Sequence, residues 1–343
     1  MLTVRQESIL RKVVEGYLRG GGHPVGSKTI AADPELQCSP STIRNELALL
    51  EELGLLAHPH TSAGRVPTDA GHRYVVDRML ASSSPTSVPA PRVEFSLMRR
   101  EVEEAMRLTT QTLSEVTNLL AVVSAPSPQT ATVRHVEVLA LQPEVVAVVI
   151  ITSTGGVTKT LISFDRPVDA GLVAWAGAYL GERVGGLELG ARMVHQRLSD
   201  PSLSSSEQAF IDRLSRVFEE AGNERGDAIY IDGTAHLFSA GMLGEVGEVE
   251  ALMRLLERRV AVLQMLRAVL AEPDVYVRIG HENEIPAMRS WALVGTGYGM
   301  PQRKLGAVSV IGPVHMDYER AISTVRGVAG QLSRFVEDAY AEG

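Results

Sequence analysis

Ser41, Thr42, Arg44 and Asn45 combine residue types and spacing that suit one kind of chemistry, the reading of base pairs from the edge of a groove. Arginine can bond guanine O6 and N7 together, asparagine can do the same at adenine N6 and N7, and short hydroxyl residues can bond phosphate or touch a thymine methyl. Such residues act from the water-facing side of a helix near its N-terminus, where the helix enters the major groove. Ser39-Pro40 supplies that N-terminus, as an N-cap followed by a proline at the first helical position. Ile43, Leu47, Leu50 and Leu53 give the helix one apolar stripe, and Gly54 ends it. The competing reading is that ordinary solvated polar residues follow a cap. A second polar cluster weighs against it: His60, Thr61, Ser62 and Arg65, with Gly64 allowing close approach, suit phosphate contact and the placing of Arg65 in a minor groove. Ser39 and Lys28 complete the candidate DNA-contacting set.

These side chains need a scaffold, and the flanking periodicity describes one. Val4, Ile9, Leu10, Val13, Val14, Tyr17 and Leu18 recur at helical spacing over residues 3–18, and Gly20-Gly21-Gly22 stops that helix. A short second helix runs from Ser27 through Ile30 to Ala32, and Asp33-Pro34-Glu35 turns the chain towards the helix that begins at Pro40. Strands at 55–57 and 65–66, joined by the loop 59–64, form a hairpin, and Thr68 caps a helix to Leu80. Three helices followed by a hairpin is the order of a winged helix-turn-helix, here residues 1–80. Residues 81–92, rich in serine and proline and without a periodic apolar face, read as a linker.

Past the linker, Val102, Met106, Thr109, Leu113, Val116, Leu120 and Val123 recur at heptad spacing, as do Tyr318, Ile322, Val325, Ala329, Leu332, Val336 and Ala339. Each seam needs a cover: the other seam, the same helices of a second subunit, or the domain's own core. Strand periodicity at 135–141, 145–152 and 157–164 returns at 275–279, 290–294 and 307–311, with amphipathic helices near 169–183, 206–221 and 248–270 between. The fold class expected is therefore α+β. The winged helix precedes a sheet domain made of residues 93–165 and 246–343, interrupted by an inserted domain near 166–245 whose limits the pattern leaves open.

Composition narrows the functional classes. With 45% hydrophobic and 22% charged residues, the 343-residue chain is an ordinary globular one that can bury a sizeable core. Its formal net charge is −8, yet residues 1–80 hold nine cations and nine anions, so the deficit falls on 81–343, whose field repels DNA. The longest apolar run, Val145 to Ile151, is too short for a bilayer, and acidic Glu7 and Glu15 interrupt any secretory stretch. The single Cys38 suits a reducing compartment, so a cytoplasmic chain without membrane association is expected. No Ser/His/Asp, Cys/His, HExxH or Walker arrangement is present, so no catalytic residue, metal or cofactor is assigned and no enzyme is expected. His58 and His60, which could hold a metal together with His72, read instead as solvated wing residues, because Pro59 separates them and Asp69 is the one carboxylate nearby. Gly295-x-Gly297-x-Gly299 reads as a β-turn rather than a phosphate loop, because a strand and not a helix follows it. A small-molecule-sensing winged-helix regulator stays open as the alternative, since a sheet domain can enclose a ligand.

Two runs, Ser39 through Leu47 and Pro59-His60-Thr61-Ser62-Ala63-Gly64-Arg65-Val66-Pro67-Thr68, resemble the signatures of the heat-inducible transcription repressor family HrcA. The likeness extends through Val277-Arg278-Ile279-Gly280-His281-Glu282-Asn283, and from Leu305-Gly306 through Val310-Ile311-Gly312-Pro313 to Met316-Asp317-Tyr318. His72 departs from it, standing where a tyrosine is more usual before Arg73-Tyr74. The resemblance implies a bacterial repressor of chaperone operons, acting as a homodimer on double-stranded operator DNA with a widely spaced inverted repeat of the CIRCE type. It implies that the chaperonin GroEL promotes the active form. It also implies a winged helix, a GAF-like domain and an inserted dimerising domain.

Overall fold

The structure is a computed structural model that describes residues 2–36, 38–59, 64–81, 91–93, 102–126, 131–153, 156–189, 192–223, 228–239 and 246–341. The N-terminal head is the expected winged helix. Thr3 and Gln6 form a reciprocal capping box at the start of α1 (Val4–Arg19). After the short α2 (Ser27–Ala31) comes α3 (Pro40–Glu52), whose buried Ile43, Leu47 and Leu50 share a core with Ile9, Leu10 and Val13 of α1. Gly54, at φ +73°, lets the chain leave α3 sharply. Strands β1 (Leu56–Ala57) and β2 (Val66–Pro67) pair as the wing's base. Thr68 then starts α4 (Asp69–Ala81): its hydroxyl donates to the Gly54 carbonyl at 2.7 Å and accepts from the Gly71 N–H at 3.1 Å.

The body is built on one antiparallel sheet. α5 (Val102–Thr117) leads into β3 (Leu120–Ser124), so the heptad seam expected to run on to Val123 stops earlier. Asn118, at φ +53°, turns the chain, and Leu120 and Val123 enter the cores on opposite sides of the sheet. The chain leaves the sheet after β3 for an insertion whose described residues form three strands and three helices: β4 (Val133–Gln142), β5 (Val145–Thr152), β6 (Val157–Ser163), α6 (Ala170–Val184), α7 (Arg192–Leu198) and α8 (Ser205–Asn223). It returns as β7 (Ile229–Asp232), α9 (Thr234–Ser239), α10 (Val246–Glu257), α11 (Arg259–Ala271), β8 (Tyr276–Ile279), β9 (Trp291–Met300), β10 (Arg303–Pro313) and α12 (Tyr318–Ala341). The sheet order is β7-β3-β10-β9-β8, while β4-β5-β6 form a sheet of their own.

This topology corrects three expectations. The strands at 133–163 belong to the insertion and not to the body sheet, because alternation marks a half-buried strand without naming its partner. β3 and β7, which the alternation rule missed, are the strands that close the body sheet on its other edge. The Gly295, Gly297 and Gly299 series lies inside β9, where a Cβ at Gly297 would stand 2.4 Å from Lys304 of the paired strand.

Both faces of the body sheet are filled. α5 and α12 cover one side, where Val123, Val294, Val308 and Val310 meet Met106, Leu113, Val325 and Leu332. α10 and α11 cover the other, where Leu120, Val122, Leu293 and Ile311 meet Leu252, Val262 and Leu266. The α12 heptad positions from Tyr318 to Val336 are buried here, so that seam is covered by the chain's own sheet. Among the described residues no helix is long and apolar enough to cross a membrane.

Candidate nucleic-acid interface

At the N-terminus of α3, Ser39 Oγ accepts from the Thr42 N–H at 3.2 Å and lies 2.7 Å from Ser41 Oγ and 2.9 Å from Thr42 Oγ1. Three hydroxyls thus crowd the positive end of a 13-residue helix that has no acidic residue in its first turn. Arg44 and Asn45 are exposed one turn further on, with Ile43 and Leu47 between and behind them in the core. The acid next along, Glu46, is turned back towards α1, 3.1 Å from Gln6 Nε2 and 3.7 Å from Arg5. Lys28 is exposed on α2.

The cations of the head separate into two groups. Arg5, Arg11, Lys12, Arg19, Arg65, Arg73 and Arg78 each pair with a carboxylate. Lys28 and Arg44 have no such partner among the described residues. Helical spacing foreshadowed only part of this, in the pairs Arg11–Glu15, Arg19–Glu15 and Arg73–Asp77. Arg65 is not brought together with the other candidates: its guanidinium lies 2.8 Å from Glu51 of α3, its side chain is only 17% exposed, and its backbone bridges to Val25. His60, Thr61 and Ser62 lie outside the described residues.

Residues 1–77 match the family model described as the winged helix-turn-helix transcription repressor, HrcA DNA-binding, and residues 103–322 match that of the HrcA protein C terminal domain. The chain belongs to the HrcA family. Relatives called heat-inducible transcription repressor HrcA include those of Parafrankia, 34% identical with 96% of this chain and 97% of the relative covered, and Streptomyces avermitilis, 35% identical with 99% and 100% covered. That of Halalkalibacterium halodurans is 30% identical with 99% of each covered. A solved structure described as a hypothetical protein at 2.2 Å shares the fold, with TM-score 0.65, 22% identity and 98% of each chain covered.

The head of this HrcA-family chain also has a second face, set against its body. Arg73 of α4 grips both carboxylate oxygens of Glu282, donating to Oε1 at 2.7 Å, and donates to the Val277 carbonyl at 2.7 Å. Burial pushes the Glu282 carboxyl up, but Arg73 and the Ile279 N–H outweigh it and hold it below the ordinary value. Asp69 accepts from the His281 N–H at 2.9 Å and faces its Nδ1 at 3.0 Å. Between these contacts and α1, His72 sits among Tyr17, His315 and Tyr318, with ring centroids 6.4 Å from Tyr17 and 5.9 Å from Tyr318. His72 is buried, and burial, aided by the nearby His315, pushes its pKa down to about 4.

Proposed function

We propose that the chain is a negative regulator of chaperone (heat-shock) operons that binds a CIRCE-type inverted repeat as a homodimer, inserting α3 into the major groove. Arg44 and Asn45 read base edges, Ser39, Ser41, Thr42 and Lys28 hold phosphates, and the wing residues His60, Thr61 and Ser62 add backbone contacts. The observation that carries this reading is that Arg44 and Lys28 are the head's two cations without a carboxylate partner among the described residues, beside an acid-free helix N-terminus. A cation already neutralised within the protein releases few counterions from DNA; a free one contributes fully. Arg65, held by Glu51, acts as an anchor of the wing.

The homodimer is supported by the insertion's outer sheet face, where Leu139, Leu141, Val157 and Leu161 are 44–64% exposed, an apolar surface of the kind that marks association. Promotion by GroEL is supported by topology. β3 pairs with β7 and β10, more than a hundred residues further on, and such non-local pairing forms slowly and leaves apolar strands uncovered meanwhile. A mobility-shift titration on the chain's own upstream DNA tests the core of the proposal. A dimer-sized complex that survives excess random duplex is expected. Equal affinity for both DNAs would overturn it. Refolding with and without GroEL and ATP, followed by stoichiometric operator titration, tests the chaperonin statement; equal active fractions would remove it.

A further inference from the structure

The contacts between head and body form a latch. α4 belongs to two cores at once: Val75 packs in the head's core, Val76 in the body's, and Met79 against both. Around that shared helix, Arg73 is bound to Glu282 and the Val277 carbonyl, and Asp69 to His281. The fit at Gly280 is close: at φ +53°, any Cβ there would stand 2.1 Å from Asp69 Oδ2. The far end of the connecting segment is pinned as well. Gln331 of α12 donates to the Pro91 carbonyl at 2.7 Å and accepts from the Val93 N–H at 2.9 Å.

None of these groups lies among those assigned to DNA, yet they fix where α3 stands. α3 is held in the head core by Ile43, Leu47 and Leu50, the head is held to the body by α4, and the insertion that leaves the body sheet between β3 and β7 carries the proposed dimer contact. We propose that Asp69, Arg73, His281 and Glu282 are spacing determinants: by latching each head to its body they set the distance between the two reading helices, and so select the separation of operator half-sites. This rests on the homodimer reading above. With the latch closed the head has one position on its body, because α4 is packed in both cores and held at Asp69 and Arg73; a head released from these contacts would accept half-sites at other separations.

The experiment uses the full-length chain, Arg73→Gln and, separately, Glu282→Gln, the second lying outside the head so that the head's own folding is untouched. The probes are fluorescent duplexes made from the chain's upstream DNA: one half-site, two half-sites at native spacing, and two with about 5 or 10 base pairs inserted, half and one helical turn. Unaltered protein should bind the native spacing at least about tenfold more tightly than the inserted ones, and both variants should bring that ratio to within about threefold while keeping single half-site affinity. Variants that keep the original spacing preference would overturn the inference. So would variants that bind the native operator more tightly, because the latch would then be holding the heads away from DNA. Light scattering separates the two levels: a dimer whose binding ignores spacing sinks the inference alone, whereas a monomer sinks the reading beneath it.

Discussion

The head carries cations on two faces and uses them in opposite ways. Where α1 and α4 meet the body and the turn after α2, Lys12 holds Asp33 and Glu35 at 2.9 Å each, Arg78 holds Glu7, and Arg73 holds Glu282. On α2 and α3, Lys28 and Arg44 are exposed and without a carboxylate partner among the described residues. The cations of the first face are partly withdrawn from solvent, Lys12 at 17% and Arg73 at 24% exposure, so this face is held by its pairs as well as neutralised by them. Its pairing cancels the field there and leaves the positive potential of a formally neutral module concentrated at the start of α3. Net charge, summed over 1–80, hides that polarity.

The paired face should break first, and in acid. His72 is buried in the latch with its pKa pushed down to about 4, against an ordinary 6.5, so the folded state binds fewer protons than the unfolded one. The stability it permits is present above pH 6.5 and is lost as pH falls towards 4. The full loss approaches roughly 3 kcal/mol, with the His315 shift of the same sign adding to it. Denaturant melts between pH 7 and pH 4.5 should show this slope in the unaltered protein and a shallower one in His72→Phe; identical slopes would place the acid-sensitive group elsewhere.

The reading face is expected to fail in specificity and not in folding. Arg44→Ala should lose about 1–3 kcal/mol of operator affinity and relax preference at one base pair, with Asn45→Ala acting likewise at a neighbouring pair, while melting temperatures stay unchanged. Fluorescence anisotropy on a set of base-substituted operators checks it. Loss of equal size on specific and random DNA would confine Arg44 to phosphate contact.

The head was legible in the sequence because each of its devices is local: Ser39-Pro40 at a helix start, Gly54 at its end, Thr68 at the next cap. What the sequence concealed is held by distance. The head–body latch joins Arg73 to Glu282 and Asp69 to His281, more than two hundred residues apart, and no periodicity links them. The membership of β4-β5-β6 was hidden for a related reason, since three alternating strands look alike whichever sheet they enter. β3 was masked differently: its Leu120 and Val123 continue a heptad count that Asn118 breaks. Among the site residues, exposure of Ser41, Arg44 and Asn45 followed from helical spacing, but the capture of Arg65 by Glu51 needed the wing's position.

Arg65 offers a smaller effect that sharpens the boundary between the two faces. Its guanidinium is committed to Glu51, so Arg65→Ala should cost about 1 kcal/mol of stability through the lost pair and its packing, and leave the salt dependence of DNA binding unchanged. A fall of about one unit in the log–log salt slope would show that Arg65 exchanges Glu51 for a phosphate on binding.

The smallest expected effect is also the cleanest comparison, because it removes the same side chain from each face. Lys28 and Lys12 carry equal charge, and simple electrostatics would give their removal equal weight in the long-range field. Counterion release distinguishes them. Lys28 has no carboxylate partner among the described residues, so a phosphate that takes it frees a cation from the DNA, and Lys28→Ala should reduce the log–log salt slope by about one unit. Lys12 is already neutralised by Asp33 and Glu35, and the same carboxylates that hold it would repel an approaching phosphate. Lys12→Ala should therefore leave the slope unchanged, with any loss confined to stability. Affinity changes at moderate salt stay under about 1 kcal/mol in both cases, so the slope and not the single-salt Kd is the quantity to measure. Equal slopes for the two variants would mean that pairing within the head does not decide which cations meet DNA, and the division of its surface into two faces would fail.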